Sequence, residues 1–312
     1  MDAASVLDLT QPEDRYSRLR LIPWWDQDLL RRSHVVVVGA GALGNEILKN
    51  LALVGVGHIT IVDMDVIETS NLSRSVLFRQ EDAGMPKAVV AARRVQELNP
   101  DVRARGVQAQ VADVGSGLFR SADVVLAGLD SREARLAINE RCWRAGVPWV
   151  DGAIDVLAGV VRVFVPPHGA CYECTLDSRD MALVNQRRSC GLWAQELMAS
   201  GHVPTTPTTA SVVAAIQVQE ALKLLHRRPE LPALGSQGFV FDGVGHNCYV
   251  VRYDVRDSCL AHERIRFIVP VPGGVETTTA DDLVRYAAEA LGQPVPPNGA
   301  VSAASVELTD EV

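Results

Sequence analysis

The chain has 312 residues, 47% of them hydrophobic, and a formal net charge of −8. That is enough apolar material for one large core or two modest ones, and the acidic balance argues against a general nucleic-acid binder. The opening stretch, MDAASVLDLTQPEDRYSR, has no apolar signal region, so a cytoplasmic protein is expected.

Residues 1–14 read as a loose leader. HVVVVGAGALGNEILKNLALVGVGHITIVDMD then spells strand, glycine turn, helix, strand. Val35 to Val38 form a continuous apolar run, as in a strand buried on both faces. Ile47, Leu48, Leu51 and Val54 share one helical face. Ile59 to Val62 give the second strand. A loop, ETSNLSRSVLFRQEDAGMPK, leads to a helix that Pro100 stops.

ADVVLAGLD is the next strand, and SREARLAINERCWRAG a helix closing at Gly146. VPWVDGA and GVVRVFVPP read as strands. No clear periodicity runs from Cys171 to about Pro207. The long helix from Thr208 to about Leu225 carries Gln217, Gln219 and Glu220, and its apolar part is short for a membrane span. GFVFDG and CYVVRYDV suggest an antiparallel pair at a sheet edge. Beyond them, RIRFIVPV is strand-like. TTTADDLVRYAAEALG is a helix with Thr279 as its N-cap, Asp282 three positions on and Gly292 as its stop. The alternation predicts an α/β fold: a doubly wound, Rossmann-like, mostly parallel sheet with antiparallel edge strands.

GAGALG places Gly39, Gly41 and Gly44 in the G-x-G-x-x-G pattern between a strand and a helix. The glycines permit a tight turn and close approach to phosphate, and the helix N-terminus favours negative charge. Asp63 ends the second strand, where a ribose-binding acid belongs. The pattern alone usually signals a dinucleotide, and an NAD-dependent oxidoreductase is one reading. Asn71, Arg74 and Lys87, in the loop after Asp63, favour another. An amide and two cations would grip a triphosphate, a clamp that a dinucleotide does not need.

Six cysteines in a cytoplasmic chain read as metal ligands, reactive thiols or core residues before disulfides. Cys171 and Cys174 have the C-x-x-C spacing of half a metal site, or of a redox pair. Cys142, in mid-helix beside Trp143, and Cys248, at the start of a strand, read as core. Cys190 sits beside Arg187 and Arg188, cations that lower a thiol's pKa.

RYSR, GAGALGNE, DMD, NLSR, GMPKA, GLDSREARLAIN and CYEC follow one another in the order found in the ThiF/MoeB/HesA adenylyltransferase family. The sequence resembles that family, itself related to the ubiquitin-activating enzymes, from about Arg15 to His262. The resemblance implies an adenylation domain over 15–262 that binds ATP and the C-terminal glycine of a ubiquitin-like or sulfur-carrier protein. It implies that Asp63 holds ribose, that Asn71, Arg74 and Lys87 bind phosphate, and that Asp130 holds Mg2+ with Asp65 assisting. Arg135 and Asn139 are placed to orient the site. Arg18 resembles an arginine that enters the neighbouring subunit's site, which implies a homodimer.

The family often carries two C-x-x-C pairs that bind structural zinc (Zn2+). Here the second reads CLAH, so the implied ligands are Cys171, Cys174, Cys259 and His262; the other reading is a site lost in this chain. By the same resemblance Cys190 is the thiol that forms a thioester after adenylation, and the other reading is an incidental cysteine. The expected pathway is bacterial ubiquitin-like conjugation, with sulfur-carrier activation for thiamine, molybdopterin or thionucleoside synthesis as the alternative. Residues 263–312 are expected to form a partner-docking module, for example for a conjugating enzyme.

Overall fold

The computed structural model describes residues 13–177, 205–262 and 277–292. Eight strands form one sheet: β1 (His34–Val38), β2 (His58–Val62), β3 (Arg103–Val107), β4 (Val124–Gly128), β5 (Trp149–Asp155), β6 (Ala158–Phe164), β7 (Gln237–Asp242) and β8 (Asn247–Arg252). Their order is β3-β2-β1-β4-β5-β6-β7-β8. The first five are mutually parallel, and β6, β7 and β8 continue the sheet as antiparallel strands. The expected mixed sheet is therefore present, and the strand order reverses between β1 and β4, where such sheets bind ligands.

Seven helices accompany it among the described residues: α1 (Gln27–Arg32), α2 (Ala42–Val54), α3 (Lys87–Leu98), α4 (Ser116–Arg120), α5 (Arg132–Ala145), α6 (Pro207–His226) and α7 (Ala280–Leu291). Alternate residues of each central strand feed opposite faces. Val35 and Val37 join Ile47, Leu51, Ile59, Ile61, Val90 and Val213 in one core. Val36 and Val38 join Phe119, Val125, Ile138, Trp149 and Phe164 in the other. Two buried faces explain why β1 is apolar throughout; each buried valine contributes roughly 1.5–3 kcal/mol.

Local chemistry sets the ends of the helices. Gly55 stops α2 at φ 76° and Gly146 stops α5 at φ 71°, a left-handed conformation that glycine adopts without strain. The Ser131 side chain caps α5 by accepting from Ala134 N at 3.2 Å. Thr206 caps α6 by accepting from Thr209 N at 3.2 Å, and Pro207 takes the first helical position. At α7, Thr279 Oγ1 accepts from Asp282 N at 3.2 Å and Asp282 Oδ2 accepts from Thr279 N at 3.1 Å, the reciprocal cap that TTTADD predicts.

Several features differ from the expectation. The short helices α1 and α4 and strand β3 are absent from the sequence reading. Strand β3 has a plain cause. Its residues, RARGV, have no apolar run, because β3 is the sheet's outermost strand and is not fully buried on either face. Cys248, expected in the core, is exposed; it lies on β8, the opposite edge, which pairs only with β7 within the sheet. Cys142 is fully buried, as expected. RIRFIVPV and the irregular stretch from 178 to 204 lie outside the described residues.

Candidate functional site

The glycine turn lies at the switch point. Gly39 has φ 92°, and a Cβ there would stand 2.5 Å from the carbonyl oxygen of Gly128, the last residue of β4. A Cβ on Gly44 would collide with the carbonyl oxygen of Gly39. Both glycines are thus required by packing. Gly41 differs: a Cβ there would meet nothing within 4 Å. Its open face lies directly before α2, whose first turn has N–H groups with no intrahelical acceptor. Such an open turn before a helix can cradle an anion.

Asp63 follows β2 and reaches back to the turn. Its Oδ2 accepts from Ala40 N at 2.6 Å, and its Oδ1 accepts from Asp65 N at 2.8 Å. Burial raises the Asp63 carboxyl above its ordinary value, against the pull of those two N–H groups and of Lys87. A carboxylate has about four acceptor sites, so capacity remains for ribose hydroxyls.

The loop after Asp63 returns to it. Lys87 opens α3, its N–H donates to Asp65 O at 2.9 Å, and its Nζ meets Asp65 Oδ2 at 2.9 Å. Asn71 is buried and closes a capping box, with its Oδ1 accepting from Glu68 N at 3.0 Å. Arg74 donates to Ser70 O at 2.9 Å. Asp82, almost fully buried, pins the loop to α3: its carboxylate accepts from Arg79 N at 2.8 Å, Arg93 at 2.8 Å and Arg94 at 3.1 Å.

Asp130 is exposed, two residues past β4. A buried ionic cluster reaches the carbonyl of the neighbouring Leu129. Asp151 of β5 accepts from Arg135 Nε at 2.8 Å and Arg162 Nε at 2.9 Å. Arg135 also donates to Leu129 O, and to Gly152 O at 3.2 Å. It therefore ties the carboxyl end of β4 to the middle of β5. Arg162 lies over the Tyr172 ring, 5.0 Å from its centroid. Asn139 accepts from Tyr172 N at 2.9 Å, and so fixes the turn that carries Cys171. Arg18 is exposed, at the start of the short turn Leu19–Leu21. Cys190, Arg187 and Arg188 lie outside the described residues.

A second cluster lies farther along α5, beside Trp143. The ligand atoms of Cys171, Cys174, Cys259 and His262 all lie within 4.8 Å of one another. Cys171 Sγ is 3.8 Å from Cys174 Sγ and 3.6 Å from Cys259 Sγ, and Cys174 Sγ is 3.5 Å from His262 Nε2. A tetrahedron with metal–sulfur bonds of ~2.3 Å has edges of ~3.8 Å, so the donor set fits a tetrahedral ion. Arg256 N donates to Cys174 Sγ at 3.4 Å, and the His262 ring stacks on Trp143 at 4.5 Å between centroids. Both contacts orient ligands, as outer partners of metal sites do.

One residue of the glycine-turn site has no place in the sequence reading. Asn45, in the first turns of α2, is completely buried. The only local signal is a polar residue on an otherwise apolar helical face, next to the glycine motif.

A doubly wound sheet, a glycine cradle at its switch point and an acid ending the second strand define a nucleotide-binding α/β protein. Residues 14–260 match the model of the ThiF family, and the chain belongs to that family. The SAMP-activating enzyme E1 of Haloferax volcanii is 36% identical over 81% of this chain and 89% of its own length. A sulfur carrier protein adenylyltransferase of Thermus thermophilus is 40% identical over 52% of this chain and 63% of its own. A NEDD8-activating enzyme E1 catalytic subunit of Caenorhabditis elegans is 35% identical over 55% of this chain and 44% of its own. Among solved structures, E. coli MccB with ATP superposes with a TM-score of 0.64 at 23% identity, over 80% of this chain and 74% of that one. This last likeness speaks to the fold. No described helix is long and apolar enough to cross a membrane.

Proposed function

We propose that this chain activates the C-terminal glycine of a small carrier protein by ATP-dependent adenylation. The observation that carries the reading is the pairing of Lys87 with Asp65 beside Asp63. A cation beside the acid that bonds to the glycine turn supports a triphosphate, which needs one, over a dinucleotide, which does not. In this reading Asp63 holds the ribose, and Asn71, Arg74 and Lys87 hold the phosphates. The carrier's carboxylate attacks the α-phosphorus as the bond to the β-phosphate oxygen breaks. Pyrophosphate leaves and an acyl-adenylate remains. Lys87 and Arg74 offset the charge that grows on the leaving group. Asp130, with Asp65 assisting, would hold Mg2+, which when bound neutralises phosphate charge.

The four-ligand cluster would hold zinc in a closed structural site that ties the Cys171 turn to the chain after β8. Arg18 would complete the site of a neighbouring copy in a homodimer. Cys190 would then attack the adenylate's carbonyl carbon, form a thioester and release AMP. Conjugation of a ubiquitin-like protein is the pathway we favour, since the match to a SAMP-activating enzyme E1 covers most of both chains. The match to a sulfur carrier protein adenylyltransferase supports the second reading, sulfur-carrier activation. Residues 263–312 would dock a partner.

The two halves separate in one experiment with a Gly-terminated carrier. Cys190→Ala should retain ATP–pyrophosphate exchange and lose a reductant-sensitive covalent adduct. An adduct that persists in Cys190→Ala removes Cys190 from the second step.

A further inference from the structure

Asparagine is a poor helix-interior residue, because its side chain competes with the backbone for hydrogen bonds. Burying an unpaired carboxamide costs more still. Yet Asn45 sits four residues into the N-terminal end of α2, completely buried. Its polar atoms are used in full view of the cradle. Nδ2 donates to Ala40 O at 2.7 Å and to Gly41 O at 3.0 Å. Oδ1 accepts from Leu77 N at 2.9 Å.

Those three partners belong to the two halves of the nucleotide site. Ala40 and Gly41 form the glycine turn. Leu77 is three residues past Arg74, in the segment that carries Asn71 and Arg74. Residue Ala40 is pinned on both sides, its N–H by Asp63 Oδ2 and its carbonyl by Asn45 Nδ2. With both Ala40 and Gly41 carbonyls directed at Asn45, the turn is fixed in one conformation before any anion arrives. The same carboxamide locks the cation-bearing segment to that turn.

We infer that Asn45 is a positioning residue that couples the glycine cradle to the Asn71–Arg74 segment, so that both reach one triphosphate at once. The inference rests on the nucleotide reading above. Its signature is selectivity. A coupling between two phosphate-binding halves matters for ATP, which spans both, and matters less for AMP, which has only the α-phosphate. A purely structural role would weaken the two nucleotides alike.

The test is calorimetric titration of the full chain with Mg-ATP and with AMP, needing no carrier protein, for the wild type, Asn45→Ala and Asn45→Ser. Asn45→Ser adds no charge, and its single short hydroxyl cannot bridge the two turn carbonyls and Leu77 N at once. It serves where the alanine variant fails to fold, and melting curves identify that case. Each folded variant should weaken ATP by ~10-fold or more and AMP by less than ~3-fold. Equal losses for the two nucleotides, or none, would overturn the role of Asn45 while wild-type ATP binding upholds the site. Wild type that takes up NAD and no ATP would overturn the nucleotide reading itself.

Discussion

Lys87 and Asp65 are joined twice, by an ion pair at 2.9 Å and by Lys87 N donating to Asp65 O at 2.9 Å. The double link brings the start of α3 back to the end of β2, across a loop of more than twenty residues. The Lys87 side chain is mostly buried and Asp65 is half exposed, so the pair's worth lies in placement more than in stability. Lys87→Ala should lower pyrophosphate exchange by about 10²–10³ with little change in melting temperature. Asp65→Asn should leave more activity than Lys87→Ala. Exchange rates at saturating ATP check the order; a reversed order would show that Asp65, and not Lys87, carries the charge that matters.

The glycines divide by what surrounds them. Gly41→Ala adds a methyl group to open space at φ −75°, so stability should stay within ~0.5 kcal/mol of wild type. The same methyl intrudes on the cradle, and ATP affinity should fall by ~10-fold or more. Gly44→Ala strikes the Gly39 carbonyl and should cost ~1–3 kcal/mol in folding. Denaturant melts alongside ATP titration separate the two effects. Equal stability losses in both variants would contradict the open cradle.

Asp151 lies fully buried between Arg135 and Arg162. Burial pushes its carboxyl up, but the two guanidiniums outweigh it and hold the carboxyl below the usual range. A depressed folded value stabilises the fold above the unfolded pKa of ~3.9. That contribution is lost as pH falls through the folded value. Asp151→Asn should therefore cost ~3–5 kcal/mol at neutral pH, where it strands two buried cations, and proportionally less in acid. Thermal melts from neutral to strongly acidic pH check this; a constant gap between the two curves would contradict it.

Removal of a bound metal should loosen the Cys171 turn and the chain end at His262. The purified protein should carry about one zinc per chain, and a strong chelator should lower its melting temperature. Cys174→Ser should do the same without chelator. Metal analysis and melting curves together decide the point. A chain with no metal and unchanged melting on chelation would show that the four donors pack without an ion.

The parallel half of the sheet is legible because its chemistry is local. Val35 to Val38 must be apolar where both faces are covered, and Gly39 must be glycine where β4 presses on the turn. Strand β3 is not legible, since Arg103 and Arg105 are edge positions whose strand character comes from pairing with β2. Cys248 misleads for the opposite reason: CYVV has the composition of a covered strand, yet it lies on the sheet's last strand. Cys171 and Cys174 announce themselves by spacing. That Cys259 meets Cys171 across 88 residues is a product of topology, which brings the turn Leu260–His262 alongside α5. The three contacts of Asn45 are equally non-local in part, as Leu77 lies 32 residues away.

The central claim is that the cradle at Gly41 and the cations after it serve an ATP-driven attack by a carrier's terminal carboxylate. Exchange of labelled pyrophosphate into ATP measures that step directly, with a Gly-terminated carrier and with the same carrier lacking its last glycine. Exchange is expected with the first and not with the second, and Lys87→Ala should lower the exchange seen with the first by about 10²–10³. Exchange that proceeds equally without the terminal glycine, or no exchange with any Gly-terminated carrier, would contradict it.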